Sequence, residues 1–443
     1  MVGHGAPTAQ PRQGVTLDAF TSRYAQRTHG MTASEIRALF AVASRPEVVS
    51  LAGGMPNLSA LPLDAVGKLI GELVQTRGAQ ALQYGSGQGL PELRELICEV
   101  MALEGVHGSA EDVVVTVGSQ QALDLVTRVF IDPGDVVLAE APSYVGALGT
   151  FASYQAEVVH VAMDADGLVP EALAQAITQV RASGQRAKFL YTVPNFHNPA
   201  GVSLADARRD EVLALCQSAG LLVLEDNPYG LLGFDAPPTR ALHGRGGHDD
   251  VLYLGTFSKT FAPGLRVGWV LAPHAVREKL VLAAEASVLC PPALNQMAVA
   301  DYLSTQDWKG QIAAFCSMYR ERRDAMLGAL EHQMPPGTTW THPAGGFYVW
   351  VDLPPGLDSK VLLPRAVTAR VAFVPGTAFY ADDEGRGHMR LSYCYPDPDR
   401  IREGVRRLAG VLEEEVELRS TFGSTGPARS SRPQSESPSP DMT

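Results

Sequence analysis

The sequence predicts an α/β protein with two parts: a large domain whose mostly parallel sheet is flanked by helices, and a smaller α+β domain after it. Short runs rich in β-branched residues recur between residues 113 and 271, and the segments between them, such as 211–219, have helical periodicity. The runs are almost continuously apolar, which is typical of strands covered on both faces. Because strands and helices alternate, we expect parallel pairing through crossover connections.

The predicted elements follow in chain order. Strands are expected at 113–117, 136–139, 157–161, 188–192, 221–225, 251–254 and 267–271. Beyond about residue 300 the pattern changes to a long helix at 308–333, short strands at 346–351, 371–374 and 388–393, and a closing helix at 397–415. This change of pattern indicates the smaller α+β domain.

The two ends of the chain differ in composition from the middle. Residues 419–443 are rich in Ser and Pro and poor in apolar side chains, so they cannot bury enough surface to offset the entropy of ordering. Residues 1–17 are similar. We expect a disordered N-terminal arm and a disordered C-terminal tail, with the folded body at 18–418.

The composition favours a folded protein with a small-molecule partner. Hydrophobic residues make up 45% of the 443 residues and charged residues 19%, as in globular chains. The formal net charge is −12 and no dense basic block opposes it, which argues against nucleic acid or a membrane surface as partner. The sequence has no membrane-length apolar run and no signal-peptide pattern, so a cytoplasmic location is expected.

The numbers and positions of cysteines and lysines limit the kinds of reactive site that the chain can form. The five cysteines are widely spaced and lack a C-x-x-C pair, so a disulfide framework and a zinc site are both disfavoured. Each is interpreted as a small buried thiol. Of the 36 basic residues, 30 are Arg and only six are Lys, so lysine chemistry has few candidates.

A glycine turn follows the first predicted strand. Gly118 and Ser119 open an apolar helix, whose N-terminus presents free N–H groups and the positive end of the helix dipole. Such an end can hold a phosphate group, although a serine there more often acts only as an N-cap. The motif alone leaves both interpretations open.

A denser polar cluster follows the predicted strand at 251–254. It contains Thr256, Ser258 and Lys259, and Arg266 follows in a second glycine-containing turn. Hydroxyls and a guanidinium can bind a phosphate dianion, and a lysine beside an arginine can act as an amine nucleophile toward an aldehyde. A solvated loop lysine is the alternative, but it does not explain the neighbouring hydroxyls, glycine and arginine.

Two further loops place polar groups at the same edge of the predicted sheet. Asp226 emerges from a buried strand, so its carboxylate requires a cationic or hydrogen-bonding partner such as a protonated ring nitrogen. Tyr229 follows three residues later. The turn at 194–201 projects the amide of Asn198, and His197 beside it is interpreted as a loop or pocket-wall residue because no metal-ligand partner lies at suitable spacing.

Together these motifs resemble the class I/II aminotransferases of pyridoxal-phosphate (PLP) fold type I, over roughly residues 20–415. They are similar in particular to the branch of 2-aminoadipate, kynurenine and aromatic aminotransferases. The segments that carry the resemblance are 50–57, 84–89, 118–120, 142–144, 195–201, 226–229, 256–259, 264–266 and 390–393. The resemblance implies a large PLP-binding domain at 58–304, a small domain at 305–418, and a segment at 18–57 that belongs with the small domain.

The resemblance also implies roles at the cofactor. Lys259 is expected to bind PLP covalently and to shuttle the Cα proton of the substrate, Asp226 to pair with the pyridinium nitrogen, and Tyr144 to stack on the ring. Asn198 and Tyr229 are expected to hydrogen-bond the ring oxygen O3′. The implied phosphate ligands are Ser119, Gln120, Thr256, Ser258 and Arg266, with Tyr84 reaching the phosphate from the second subunit of an obligate homodimer.

On the substrate side, the resemblance implies that Arg390 grips the α-carboxylate with its planar guanidinium, with Asn198 as a second contact. Gly54 and Arg37 are implied near the substrate, Arg37 in a helix at 34–37 that lies over the pocket. The chain departs from the family pattern at Ala200, where Thr is usual, and at Thr256, where Ser is commoner. It also departs at His197, Cys394 and Tyr395, which leaves the substrate side chain open.

The expected function is transfer of the amino group of an L-α-amino acid, aromatic, aminoadipate-like or branched, to a 2-oxo acid such as 2-oxoglutarate by a ping-pong mechanism. A PLP-dependent lyase, decarboxylase or carbon–carbon bond-forming enzyme on the same scaffold stays open, because the bond cleaved depends on substrate orientation. A regulator with a DNA-binding domain is disfavoured, since fewer than 20 residues precede the resembling region. The glycines at 85–89 do not indicate an NAD site, because no strand precedes them.

Overall fold

A computed structural model describes residues 20, 23–28, 45–246, 248–382 and 384–422. The predicted N-terminal arm at 1–17, the segment at 34–37 with Arg37, and the predicted tail beyond residue 422 lie outside the described residues.

The helices are α1 (Leu63–Ala81), α2 (Pro91–Ala102), α3 (Ser119–Phe130), α4 (Val145–Ser153), α5 (Pro170–Ala182), α6 (Asp206–Ala219), α7 (His274–Val288), α8 (Ala293–Thr305), α9 (Trp308–Gln333), α10 (Ser359–Thr368) and α11 (Pro398–Phe422). The strands are β1 (Val49–Ser50), β2 (Val113–Thr116), β3 (Val136–Ala141), β4 (Glu157–Asp164), β5 (Gly167–Leu168), β6 (Ala187–Thr192), β7 (Leu222–Asp226), β8 (Val251–Thr256), β9 (Gly268–Leu271), β10 (Thr339–Trp340), β11 (Tyr348–Asp352), β12 (Val371–Ala372), β13 (Val374–Pro375) and β14 (His388–Ser392). Within the described residues, no helix has the length and apolar character needed to span a bilayer.

The large sheet has eight strands in the order β2-β9-β8-β7-β6-β3-β4-β5. The pairs along β8-β7-β6-β3-β4 are parallel, which confirms the prediction of a mostly parallel sheet. β9 differs, because it runs antiparallel to both β8 and β2. The residues at 257–267 that join β8 to β9 are too few for a helical crossover, so the chain turns back beside β8.

The large sheet separates two apolar cores. Along β3, Val136 and Leu138 pack into one buried cluster, whereas Val137 and Ala139 pack into the other. This alternation follows from the two-residue period of a strand, whose side chains point to opposite faces. It explains why the sequence of each central strand is continuously apolar, and it confirms the α/β class.

The second sheet is antiparallel, in the order β10-β11-β14-β13, and α9 packs against α11 beside it. The strand predicted at 371–374 is instead two short strands, because β12 pairs with β1 while β13 pairs with β14. The closing helix ends at Phe422, whereas the sequence placed the start of the tail at 419. Arg419 on that last turn contacts Glu415 and the carbonyl of Gly356, which extends the helix.

The five cysteines all lie in the described part of the chain and are free thiols. Cys216 and Cys394 are buried, as the sequence predicted for all five. Cys98, Cys290 and Cys316 are only half-buried, so the prediction is wrong for these three. Each of the three borders a loop or lies on a helix flank, where apolar neighbours in sequence do not guarantee full burial.

Candidate active site

The polar residues predicted to matter gather at one edge of the large sheet. β3, β6, β7 and β8 are parallel, so their carboxyl ends meet there, as expected for a ligand site in an open α/β sheet. A cavity of about 390 Å³ lies at this edge and extends to the smaller sheet. Its size is in the usual range for small-molecule sites.

Twelve of the predicted site residues line this cavity, and they come from distant parts of the chain. They are Gly54, Ser119, Gln120, Tyr144, Asn198, Asp226, Tyr229, Thr256, Ser258, Lys259, Arg266 and Arg390. Tyr84 is not among the lining residues and is 77% exposed, and Arg37 lies outside the described residues. The structure therefore brings together all the predicted residues except these two.

One end of the cavity is suited to an anion. The N-terminus of α3 at Ser119 lies beside Arg266, whose Nη1 donates to Ser258 Oγ at 3.2 Å, and Thr256 Oγ1 lies 2.9 Å from the same hydroxyl. Gly118 has a φ of 73°, and a Cβ there would lie 2.3 Å from Arg266 Nη2. Only glycine allows this close approach, so backbone N–H groups, hydroxyls and a guanidinium converge.

Gln120 and Tyr144 form the adjoining wall. The Gln120 side chain donates to Thr150 Oγ1 at 2.8 Å and accepts from the Tyr144 hydroxyl at 3.3 Å. Its amide is therefore engaged with α4. Of the groups on Gln120, the backbone N–H at the start of α3 is the one oriented for an anion.

Lys259 follows β8 and donates from Nζ to the carbonyl of Gly54 at 3.0 Å. The pKa of Lys259 is lowered to about 8, mainly by burial and also by the nearby charges of Arg390 and Arg266, while Cys394 and Asp226 act in the opposite direction. A larger share of the amine is therefore neutral near pH 8 than for a solvated lysine, and the neutral amine is the nucleophilic form.

Asp226 ends β7 and is only 4% exposed. Its Oδ2 accepts a hydrogen bond from the Tyr191 hydroxyl at 2.9 Å, while its buried Oδ1 has no hydrogen-bond partner among the described residues. Burial raises the pKa of Asp226 to about 6, although the Tyr191 hydrogen bond and Lys259 favour the ionised form. A buried carboxylate with one free acceptor requires a cationic or donating ligand.

Arg390, on β14, forms the opposite side of the cavity and is 2% exposed. Its Nη1 donates to Asn198 Oδ1 at 2.8 Å and its Nη2 to the carbonyl of Ala52 at 2.8 Å. The guanidinium carbon lies 4.2 Å from the ring centroid of Tyr348. A buried arginine held by neutral groups keeps its charge available for a ligand carboxylate.

Sequence reasoning missed two tyrosines of this site. Tyr348, on β11, lines the cavity over Arg390, and a Cβ at position 54 would lie 2.2 Å from its hydroxyl, so Gly54 is needed for the approach. Tyr191, on β6, donates a hydrogen bond from its hydroxyl to Asp226. Both occur in strongly apolar strands, where an aromatic residue is usually interpreted as core. For Tyr191 the only signal was its place in a predicted strand that ends at the functional edge, and Tyr348 had no such signal.

His197 and Cys394, where the chain departs from the family pattern, are both buried. His197 Nε2 lies 3.1 Å from Glu140 Oε2, and its Nδ1 accepts from the Ala200 N–H at 3.2 Å. Cys394 Sγ lies 3.2 Å from the carbonyl of Met55. Neither side chain lines the cavity, so both support its walls, consistent with the interpretation of His197 as a loop or wall residue.

The fold and the cavity define an α/β enzyme whose anion site, reactive lysine and buried carboxylate suit a phosphorylated, ring-nitrogen cofactor. The chain matches the family Aminotransferase class I and II over residues 46–408 and belongs to that family. Its structural neighbours are PLP-dependent aminotransferases of fold type I, and this fold is shared here. The chain is therefore an aminotransferase with pyridoxal 5′-phosphate as cofactor.

Several known proteins are similar to this chain over most of its length. The chain is 40% identical to aromatic-amino-acid aminotransferase 1 of Thermococcus litoralis over 403 residues, 90% of this chain and 96% of that protein. It is 37% identical to 2-aminoadipate transaminase of Thermus thermophilus, covering 86% of this chain and 94% of that protein. A solved kynurenine aminotransferase of Pyrococcus horikoshii, in complex with PMP, has a TM-score of 0.86 at 38% identity, covering 90% of this chain and 99% of that one.

The described residues fit PLP on independent observations. The unpartnered Oδ1 of Asp226 is a buried acceptor of the kind a protonated pyridine nitrogen satisfies. The space beside Gly118 and Gly268 forms an anion cradle, because a Cβ at position 268 would lie 2.6 Å from the Ser119 nitrogen. Among the described residues that line the cavity, Lys259 has the one primary amine.

Proposed function

We propose that this aminotransferase accepts aromatic, aminoadipate-like or branched L-α-amino acids and passes the amino group to a 2-oxo acid such as 2-oxoglutarate. The observation that carries the proposal is the buried Arg390–Asn198 pair under Tyr348, at the end of the cavity opposite the anion cradle. The names of two relatives, aromatic-amino-acid aminotransferase 1 and 2-aminoadipate transaminase, support the aromatic and aminoadipate-like donor classes.

When bound, PLP supplies an electron sink that stabilises negative charge at the substrate Cα. We assign its phosphate to Ser119, Gln120, Thr256, Ser258 and Arg266. We assign its ring face to Tyr144, its ring nitrogen to Asp226, and its ring oxygen to Asn198 and Tyr229. The converging hydroxyls, the free carboxylate oxygen and the neighbouring amide support these assignments.

Lys259 is assigned two tasks in sequence. Its neutral Nζ would hold the cofactor covalently, and the same Nζ, when free, would take the proton from the substrate Cα. The lowered pKa supports both, because a base whose pKa lies near the operating pH transfers protons efficiently. Arg390 holds the substrate carboxylate so that the Cα proton faces this amine.

The test of the function is a titration of the PLP-loaded protein with a panel of L-amino acids, followed by a panel of 2-oxo acids, with the visible spectrum as readout. We expect aromatic and aminoadipate donors to convert the bound cofactor to PMP and a 2-oxo acid to reverse the change. Release of CO₂ or of an eliminated group, without reversal by any 2-oxo acid, would move the proposal to a lyase or decarboxylase.

Arg390→Lys should raise the KM of both the amino donor and the 2-oxo acceptor by about 10–100-fold, with a smaller loss in kcat. A lysine keeps the charge but not the planar fork that binds a carboxylate bidentately. Steady-state kinetics with both substrates would measure this change. Arg323→Lys is the matched control, because Arg323 pairs with Asp235 and does not line the cavity. Unchanged KM values for Arg390→Lys would show that the carboxylate binds elsewhere.

We also propose that the active form is a homodimer with shared sites. Three large side chains are exposed to solvent: Tyr84 by 77%, Leu82 by 71% and Leu289 by 54%. The loop that contains Leu82 and Tyr84 contacts the loop of Leu289, because the Gly85 N–H lies 3.4 Å from Cys290 Sγ. Large apolar side chains clustered at a surface are typical of a protein–protein interface. The family resemblance supplies the further assignment that Tyr84 reaches the phosphate in the partner subunit.

Tyr84→Phe tests this assignment. We expect the mass in solution to stay that of a dimer by sedimentation, while the dissociation constant for PLP rises about tenfold through the loss of one hydrogen bond to a charged group. Tyr154→Phe is the control, because its hydroxyl contacts Asp124 outside the cavity. A monomeric native protein, or unchanged PLP affinity in Tyr84→Phe, would contradict the shared site.

We further propose a large domain at 58–304 and a small domain at 305–418 that includes the N-terminal segment at 18–57. The two separate sheets support the division, and the parallel pairing of β1 with β12 supports the placement of that segment. The cavity lies where the two parts meet, since Arg390 comes from the smaller sheet and Lys259 from the larger.

A further inference from the structure

Behind the wall of the cavity, buried polar side chains form a continuous hydrogen-bonded row. Arg209 Nη2 donates to Asn195 Oδ1 at 2.6 Å, Asn195 Nδ2 donates to Asn227 Oδ1 at 3.0 Å, and Asn227 Nδ2 donates to Glu104 Oε1 at 2.7 Å. We call Arg209, Asn195, Asn227 and Glu104 the buried row. Its members are 0–5% exposed, and none of them lines the cavity.

The two ends of the buried row fix the orientation of the amides between them. A guanidinium can only donate hydrogen bonds, and an ionised carboxylate can only accept them. Asn195 must therefore present its oxygen to Arg209 and its nitrogen to Asn227, and Asn227 its nitrogen to Glu104. Turning either amide would place two donors or two acceptors face to face, so each has a single allowed orientation.

Glu104 lies just after α2, and its carboxylate is held from a second side. Tyr253, on β8, donates from its hydroxyl to Oε2 at 3.1 Å, and the Asn227 amide also donates to that hydroxyl at 3.2 Å. The pKa of Glu104 is raised to about 7, mainly by burial and also by the nearby Glu225, although Asn227, Tyr253 and Arg209 favour the ionised form. At pH 8 the carboxylate is therefore the prevailing acceptor.

The turn after Asp226 is folded tightly over Glu104. A Cβ on Gly230 would lie 1.7 Å from Glu104 Oε1 and 2.7 Å from Asn227 Nδ2. No other residue fits at position 230 without moving the carboxylate or the turn. The backbone of the turn thus rests directly on the Glu104 side chain.

The buried row joins the two loops that supply the ring contacts. Asn227 lies between Asp226 and Tyr229, and Asn195 lies three residues before Asn198; Asp226, Tyr229 and Asn198 all line the cavity. A shift at Asn227 or Asn195 is transmitted to these side chains, because only one to three residues of backbone separate them. Small displacements of this kind have large effects on catalysis.

We propose that Glu104 is a positioning residue for the cofactor ring, acting through Asn227 on the Asp226–Tyr229 turn and through Asn195 on the Asn198 loop. The inference rests on the proposed assignment of Asp226, Tyr229 and Asn198 to the ring of PLP. It adds a residue that touches neither cofactor nor substrate.

Glu104→Gln tests the role with the PLP-loaded and apo forms of the full chain at pH 8. A glutamine nitrogen would oppose the donors of Asn227 or Tyr253, so the row loses its fixed orientation. We expect the dissociation constant for PLP to rise about tenfold, and kcat to fall by a similar factor with little change in KM. We also expect the visible circular dichroism per bound PLP to decrease, because it reports how rigidly the ring is held.

Two controls separate positioning from general stability. Glu225→Gln removes a carboxylate that is equally buried, one residue before Asp226, but accepts from the backbone N–H groups of Leu242 and His243 instead of the row. It should lower the melting temperature without changing the circular dichroism per bound PLP. In a double-mutant cycle, Asn227→Ala and Glu104→Gln should be far from additive in PLP affinity, because each breaks the same connection.

The outcomes distinguish this inference from the proposed site. PLP affinity and circular dichroism of Glu104→Gln close to native values would overturn the inference, as would additive effects in the cycle. If Glu104→Gln does not fold, Asn227→Ala alone must show the tenfold loss of PLP affinity, and native affinity in that variant overturns the inference. If Asp226→Asn also left the bound cofactor unchanged, the site assignment itself would fail, whereas a defect in Asp226→Asn alone would leave that assignment standing.

Discussion

Replacing Lys259 with alanine should abolish transamination, with a loss of roughly 10⁴-fold or more in kcat. Lys259 has the one primary amine among the described residues lining the cavity, so the variant loses both the attachment point and the proposed base. The anion cradle and Asp226 stay in place, so PLP should still bind without a covalent link. Steady-state assays and absorbance titration of the variant with PLP would measure both effects.

Covalent attachment can be followed separately from turnover. After borohydride reduction, the intact mass of the native chain should increase by one cofactor, and that of Lys259→Ala should not. Lys279→Ala is the control, since Lys279 is exposed on α7 away from the cavity and should label like the native protein. Labelling of another lysine in Lys259→Ala would show that the cofactor is attached elsewhere.

The pH dependence of attachment follows from the lowered pKa. The pKa of Lys259 falls from 10.5 to about 8, so the neutral nucleophile becomes the main form above about pH 8. The rate at which apo protein captures PLP should therefore rise between pH 7 and pH 9 and then level off. A rate that keeps rising to pH 10 would mean that the amine behaves as if it were solvated.

The sequence alone was sufficient to predict the large sheet and most of the cavity. Continuous apolar runs located the central strands, and the polar residue after each run identified Ser119, Asp226 and Lys259. That method works because the carboxyl ends of parallel strands meet at one edge. It gave no information on the direction of β9, which depends on the length of the connection and not on the apolar pattern.

The contacts between distant residues were beyond sequence reasoning. Glu104 and Asn227 are separated by 123 positions, and Glu104 follows an ordinary amphipathic helix with no motif around it. Tyr191 and Tyr348 belong to apolar strands, where the pattern conceals a functional hydroxyl. These side chains become recognisable only when the fold places their polar atoms beside Asp226, Arg390 or each other.

Asp226→Asn should reduce kcat by two to four orders of magnitude while the protein keeps part of its PLP. An asparagine cannot pair ionically with a protonated ring nitrogen, and loss of one partner of a buried ion pair costs about 3–5 kcal/mol. Because each 1.4 kcal/mol or so of barrier changes the rate about tenfold, this cost corresponds to the expected loss in kcat. Single-turnover kinetics and the ratio of bound PLP to protein would separate the chemical step from cofactor loss.

Tyr191→Phe provides a graded comparison, because it removes the hydrogen bond to Oδ2 and leaves Oδ1 free for the ring. Without that bond the carboxylate loses a donor that favours its ionised form, so its pKa should rise above about 6 and the rate should fall at acidic pH more than at pH 8. Its loss at pH 8 should be about tenfold at most, far smaller than that of Asp226→Asn. If Asp226→Asn turned over at nearly the native rate, Oδ1 would not be the partner of the ring nitrogen, and its lack of a partner among the described residues would need another explanation.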